Sequence, residues 1–254
     1  MASTPYIVLI SGASRGLGKG FVERYLARPN HIVIAANRDP NGSTSKELYD
    51  LPKAEGSRLI IVKYDGAIDG GASEIPAVLA SQGINHLDLV IANAGIAYVY
   101  PSVADLKISD IENHMAINVY GTVRLYQATL PFLKKARSPK FVTIGSGAGS
   151  ITAQLPLPNA AYGPSKAAVH WLTKRMDGEE DWLTAFVLDP GLVGTDMGNR
   201  GAAELSTRLG MPELMDMVIS LDESVTGMVQ RIDEATKETH GGTFVRYDGS
   251  NPPF

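Results

Sequence analysis

Short apolar runs rich in Val and Ile recur along the chain at residues 6–10, 31–36, 59–63, 87–92, 140–144, 183–188 and 243–246, with longer helix-like stretches between them. Strands that are apolar on both faces need cover on both, which a parallel sheet between two helical layers provides. Strand then helix, repeated, predicts a doubly wound α/β fold: a seven-stranded parallel sheet with helices on both faces. No internal repeat, low-complexity tract or Pro/Ser-rich linker divides the chain, so residues 1–254 are expected to form a single domain. Capping-box spacing marks helix starts at Thr44 with Glu47, Ser109 with Glu112 and Ser220 with Glu223. The longest helix is expected over residues 109–135, kinked or ended early by Pro131. The alternation breaks at residues 197–220, where Met197, Met211, Met215 and Met217 stand among several glycines. Following a strand's end, this segment reads as a substrate lid or as an ordinary irregular connection.

Charge and composition narrow the partners. The chain has 254 residues with 23 Lys plus Arg against 27 Asp plus Glu, a net charge of −4, and no dense basic run. That argues against nucleic acid or an anionic membrane and leaves small molecules. The absence of cysteine removes disulfides, thiol nucleophiles and cysteine-based metal sites. His31, His86, His114, His170 and His240 are isolated from one another, so no metal is expected. The N-terminal residues show neither a basic leader nor a signal-length apolar run, and no stretch approaches a membrane span, so a cytoplasmic location is expected.

The first run leads straight into Ser11-Gly12-Ala13-Ser14-Arg15-Gly16-Leu17-Gly18, and a helical pattern follows over residues 19–28. Glycines at this junction permit a tight turn, let backbone approach a pyrophosphate and leave room for the helix to pack on the strand. A merely structural turn is the alternative. An ATP-type loop fails, because Gly18-Lys19 is preceded five residues back by Ala13 and followed by Gly20 where Ser or Thr is needed. Nineteen residues beyond Gly18, where a fold reading NAD places an acid for the ribose 2′-hydroxyl, stand Asn37 and Arg38. Arg38, with Arg15, can clamp a 2′-phosphate that a carboxylate would repel, although Asp39 adjoins it. The expected cofactor is NADP(H).

Tyr162-Gly163-Pro164-Ser165-Lys166 sets a phenol and an ammonium four residues apart ahead of an apolar helix. Proline is tolerated in a first turn, so a helix starting near residue 160 puts Tyr162 and Lys166 on one face. A nearby cation is expected to lower the tyrosine pKa and make Tyr162 a usable acid/base. A structural Tyr/Lys pair is the alternative. Gly163-Pro164-Ser165-Lys166-Ala167 nearly matches a serine-hydrolase elbow, but it lacks the second glycine and does not follow a strand.

With these elements go Asn93-Ala94-Gly95 after the fourth run, Asn118 in the long helix, Ser146 after the fifth run and Pro190-Gly191 through Thr195 after the sixth. In that order they resemble the short-chain dehydrogenase/reductase family over essentially the whole chain. Within the family the chain is most similar to sniffer/C-factor-like carbonyl reductases and the fungal norsolorinic acid ketoreductase type, on Val90-Ile91-Ala92-Asn93-Ala94-Gly95-Ile96-Ala97, Ile117-Asn118-Val119-Tyr120-Gly121 and residues 167–174.

The resemblance implies a single-domain Rossmann fold and a proton delivered by Tyr162 to a ketone oxygen as hydride arrives from the nicotinamide. Lys166 would hold the nicotinamide ribose, Ser146 would hydrogen-bond the developing alkoxide, and Asn118 would organise a water relay to Lys166. Gly12, Ser14, Arg15, Gly16, Leu17 and Gly18, with Asn37, Arg38, Asp65, Asn93, Ala94 and Gly95, would line the adenosine and pyrophosphate. Pro190, Gly191, Val193 and Thr195 would flank the carboxamide. A solvated Asp65, a strand-ending Asn-Ala-Gly and an ordinary Pro-Gly turn are the plain alternatives.

Departures from the family pattern are Ser11 for a more usual threonine and Gly145 where many relatives have a second serine, which makes Ser146 the catalytic position and Ser150 the other register. Gly178-Glu179-Glu180-Asp181 is read as interrupting the helix that usually forms a dimer interface, so a homo-oligomer stays open. Substrate contacts are expected from Ser146, Tyr162, Ala97, Tyr98, Gln154, Leu155 and the Met-rich segment, a wide apolar set compatible with a flat aromatic polyketide ketone of secondary metabolism. The rival is a non-enzymatic NADP(H)-binding redox sensor, which has no need of proton-transfer groups.

Overall fold

Period-two alternation sorts each strand's side chains between two layers. In β1 (Tyr6–Ser11), Ile7 and Leu9 enter one buried cluster and Val8 and Ile10 the other. In β4 (Leu89–Ala92), Val90 and Ala92 join the first, and Leu89 and Ile91 the second. Each such residue is useful only if both faces are covered. The structure, a computed structural model, describes residues 4–154 and 156–254. Met1, Ala2 and Ser3, and the expected substrate contact Leu155, lie outside the described residues.

The remaining strands are β2 (His31–Asn37), β3 (Arg58–Lys63), β5 (Lys140–Ile144), β6 (Thr184–Asp189) and β7 (Phe244–Arg246). They form the predicted parallel sheet of seven strands in the order β3-β2-β1-β4-β5-β6-β7. The order reverses between β1 and β4, which opens a crevice beyond their C-terminal ends. Helices α1 (Gly16–Leu26) and α8 (Leu221–Glu234) cover one face with Phe21, Tyr25, Met228 and Ile232. Helices α3 (Glu74–Ser81), α5 (Thr122–Leu133) and α6 (Tyr162–Glu179) cover the other with Ile75, Leu79, Leu125, Phe132 and Met176. Among the described residues, no helix is long and apolar enough to cross a membrane.

Several local expectations are corrected. The predicted Thr44 cap fails: α2 (Ser43–Lys46) starts after Gly42, whose extended backbone precedes it without a side-chain cap. Helix α4 (Ile108–His114) likewise starts after Lys107, so Ser109 lies inside the first turn rather than capping it. Ser220 does cap α8, accepting the Glu223 N–H at 3.1 Å. The single long helix is broken by a π-helical turn, Met115–Gly121, and Pro131 sits inside α5, which ends at Leu133. Gly178 does not interrupt α6, which runs on to Glu179.

The 197–220 segment is mostly helical rather than irregular. Thr195 caps α7 (Asp196–Leu209), and Gly210, at φ 65°, terminates it in the left-handed conformation. A short α9 (Lys237–His240) precedes β7.

Candidate active site

The crevice begins at the glycine turn. Gly12 and Gly16 have φ of 63° and 52°, and a Cβ at Gly18 would sit 2.2 Å from the Gly12 carbonyl oxygen, so these positions exclude side chains. No side chain caps α1. Its first N–H groups and the positive end of its dipole therefore face the crevice, a donor set suited to a pyrophosphate. The buried Asn37 is bound inside the protein at both ends of its amide: Oδ1 accepts the Ala13 N–H at 2.9 Å, and Nδ2 donates to Ser45 Oγ at 3.0 Å. It shapes the turn beside which the nucleotide is expected. Arg38 and Arg15 are exposed beside the turn, and the Asp39 carboxylate accepts the Asn41 N–H at 3.0 Å. Asp65 is partly exposed and accepts the Ala67 N–H at 3.0 Å.

Two loops close around this turn. Ser11 Oγ accepts the N–H groups of Asn93 and Ala94, each at 3.0 Å, while Asn93 Nδ2 donates to the Ser11 and Gly12 carbonyls at 2.9 and 3.1 Å. The Asn93-Ala94-Gly95 strand end is thereby fixed against the glycine turn. Opposite, the Pro190 carbonyl accepts from Ser224 Oγ at 2.7 Å, Gly191 turns at φ 78° and Val193 bridges Ile219. Thr195 reaches across to Gly16, where a Cβ would lie 3.5 Å from its methyl, and Arg15 pairs with Asp196 at 3.5 Å.

The chemistry-bearing side chains meet at the C-terminal end of β5. Tyr162 opens α6, with its side chain near enough to Ser146 for the serine to pull its pKa down. The buried Lys166 Nζ lies 5.6 Å from the Tyr162 ring centre and donates to the Ile144 carbonyl at 2.7 Å. Ser146 Oγ accepts the Ala148 N–H at 3.2 Å, which leaves its O–H hydrogen for a ligand. Ser150 instead takes the Ala153 N–H at 3.0 Å. Asn118 sits in the π-helical turn, a feature common at functional sites, and clamps Ile96: Oδ1 accepts its N–H at 2.8 Å and Nδ2 donates to its carbonyl at 3.0 Å. Nδ2 also reaches Ser165 Oγ at 3.0 Å, which in turn donates to the Tyr162 carbonyl at 2.7 Å.

Electrostatics depart from the sequence expectation. Burial pushes the Tyr162 phenol up from its ordinary value, Ser146 pulls against that, and the Asp189 carboxylate adds to it. Burial lowers Lys166 to about 8, with Asp189 opposing. Loss of solvent disfavours both charged forms, and it outweighs the expected pull of the ammonium on the phenol. The pair is thus biased towards a proton-bearing phenol.

Of the expected substrate contacts, Ala97 is buried and its carbonyl accepts from Arg200 Nη2 at 3.0 Å. The Tyr98 ring stacks on His114 at 4.7 Å, and His114 lies edge-on to Tyr162 at 6.3 Å. The Tyr98 hydroxyl donates to Asp110 at 3.1 Å. Gln154 is exposed, as are Met215 and Met217. Sequence reasoning missed Asp189, whose carboxylate accepts the Gly191 N–H at 3.0 Å and would lie 3.7 Å from a Cβ at Gly147, beside the Ser146 turn. It also missed the arginines of α7, of which Arg208 donates to the Tyr100 carbonyl. A charged residue just before Pro-Gly was the signal for the first; nothing local marked the second.

A doubly wound sheet, an uncapped glycine turn at its switch point and a Tyr/Lys/Ser/Asn cluster across the crevice define an oxidoreductase of the nicotinamide-dinucleotide class. The chain belongs to the short-chain dehydrogenase family, whose model, described as short chain dehydrogenase, matches residues 6–205. It is 43% identical to norsolorinic acid ketoreductase nor1 of Dothistroma septosporum over 97% of this chain and 91% of that one. Among solved structures, NADPH-bound carbonyl reductase from chicken fatty liver superposes with a TM-score of 0.83 at 28% identity, covering 99% of this chain and 100% of that one. The carbonyl reductase Sniffer of D. melanogaster shares the fold, with a TM-score of 0.81 at 24% identity and coverage of 99% and 100%.

Proposed function

We propose that this protein is an NADPH-dependent ketoreductase acting on an aromatic polyketide-type ketone in secondary metabolism. One observation carries the reading: a partly exposed Tyr162 at the start of α6 is flanked by Lys166, whose Nζ would lie 3.8 Å from a Cβ at Gly95 in the loop bound to the glycine turn. The names of the norsolorinic acid ketoreductase and NADPH-bound relatives support the substrate class and cofactor.

The donor set fits an NADP(H) molecule. The turn from Gly12 to Gly18, with Ser14 and Leu17, would hold the pyrophosphate, Arg15 and Arg38 the 2′-phosphate, and Asp65 with Asn93, Ala94 and Gly95 the adenosine. Pro190, Gly191, Val193 and Thr195 would hold the carboxamide. A reduced nicotinamide supplies hydride to the carbonyl carbon. Tyr162, kept protonated by burial, gives its proton to the ketone oxygen. Ser146 donates its free O–H to the charge developing there. Lys166 binds the ribose with the N–H donors that Ile144 leaves open, and Asn118 holds Ile96 and Ser165 in place around them. Ala97, Tyr98, Gln154 and Leu155 would shape the ketone site within a single domain, with residues 197–220 as its lid.

Purified protein, NADPH and a panel of aryl and alkyl ketones test this. Tyr162→Phe is expected to lower kcat by about 10²–10⁴-fold. Turnover that survives loss of the phenol overturns the mechanism, and no turnover on any ketone favours a redox sensor.

A further inference from the structure

We propose that His170 is a positioning residue for Ser146: its imidazole, wedged under the turn that follows β5, accepts the Ser146 backbone N–H and fixes where the Ser146 hydroxyl points. The inference rests on the reading of Ser146 as the alkoxide donor, and it names a device for placing it.

His170 lies one helical turn after Lys166 on α6 and is 2% exposed. The Ser146 N–H donates to His170 Nε2 at 3.3 Å. The ring also explains two glycines around that serine. A Cβ at Gly145 would sit 2.6 Å from Nε2 and 2.3 Å from a Val187 methyl, and a Cβ at Gly149 would sit 2.8 Å from Cε1. A side chain at the Gly145 position has no room here, because the Val187 methyl and the imidazole occupy it. Ser146, extended at φ −170°, depends instead on the ring below it.

An acceptor at Nε2 requires the ring proton on Nδ1. Among the described residues that atom is buried without a partner, a desolvation cost that packing alone would avoid with leucine. The neutral form is secured, since burial and Lys166 lower the imidazole to about 3. An imidazolium would set two N–H groups against each other. Phe244, 4.6 Å away, closes the other side of the ring.

Two variants separate positioning from packing. His170→Leu fills the space without an acceptor, and His170→Gln restores an oxygen near Nε2. His170→Leu is expected to lower kcat about tenfold with the KM for NADPH unchanged, and His170→Gln to recover most of it. In a Ser146→Ala background, His170→Leu is expected to cost nothing further. An equal loss in both backgrounds, or no recovery with glutamine, overturns the proposal. Should the leucine variant fail to fold, imidazole ¹⁵N spectra of the unmodified protein decide. The Nδ1–H tautomer without titration between about pH 5 and 9 supports the assignment, and titration near the ordinary value of about 6.5 overturns it. That spectrum needs no substrate, so it reads the inference even if no ketone is reduced.

Discussion

Tyr162 and Lys166 are moved in opposite directions by one cause, removal from water, and each is pushed towards its uncharged form. A phenol that holds its proton suits carbonyl reduction and works against alcohol oxidation. We expect kcat/KM for reduction to be flat in the neutral range and to fall above about pH 8, where Lys166 loses its charge, while oxidation of the alcohol rises with pH; paired pH-rate profiles check both. The stability sign is separate. Lys166 titrates near 8 in the fold against 10.5 in an open chain, so the unfolded state holds the extra proton in that window, and this residue favours folding more as pH rises through it. The Tyr162/Lys166 spacing was readable in the chain because four residues make one helical turn. Their shifts were not, because they depend on how deeply the crevice walls bury them. The same limit hid His170, which follows Lys166 by that same spacing but acquires its role only when β5 brings Ser146 to it.

At the level of the element, α6 ends on a half-buried hub. Lys237 Nζ donates to the carbonyls of Asp177, Glu180 and Leu183 at 2.6, 3.2 and 2.9 Å and lies 3.0 Å from the Asp177 carboxylate, whose other oxygen takes the Ala185 N–H at 2.9 Å. One cation closes the last turn of a helix and neutralises an acid that anchors β6. Lys237→Met is expected to lower unfolding stability by about 2 kcal/mol, read as a shift in the urea midpoint. Strands were legible because both their faces are apolar. Helix starts were less so: Ser220 caps as its spacing implies, but the Thr44 and Ser109 boxes fail because Gly42 and Lys107 already carry the extended backbone that a cap position needs. The Met-rich stretch looked irregular because its glycines mask α7, which Thr195 starts and Gly210 stops.

Across the whole molecule, two apolar layers hold a sheet whose strand reversal leaves one place for a dinucleotide. A ligand bound only by the folded state stabilises it by mass action. NADPH at a hundred times its Kd is expected to add about 2.7 kcal/mol and raise Tm by roughly 5–10 °C, with NADH at equal concentration doing less. Arg38→Asp should reverse that ranking, and thermal unfolding with each nucleotide checks it. The expected preference rests on the glycine turn and the missing acid, both legible in the chain, whereas the internal bonds of Asn37 were not, because its partners Ala13 and Ser45 are distant or on another element. The widened turn at Met115–Gly121 carries a different consequence, for how the chain can vary. A π turn absorbs one residue more than regular winding holds, so deleting one there would remove the bulge, leave Leu125 and Phe132 on the sheet and draw Asn118 away from Ile96. The length of that stretch is thus tied to where the Asn118 amide must sit, not to the packing of the helix beyond it.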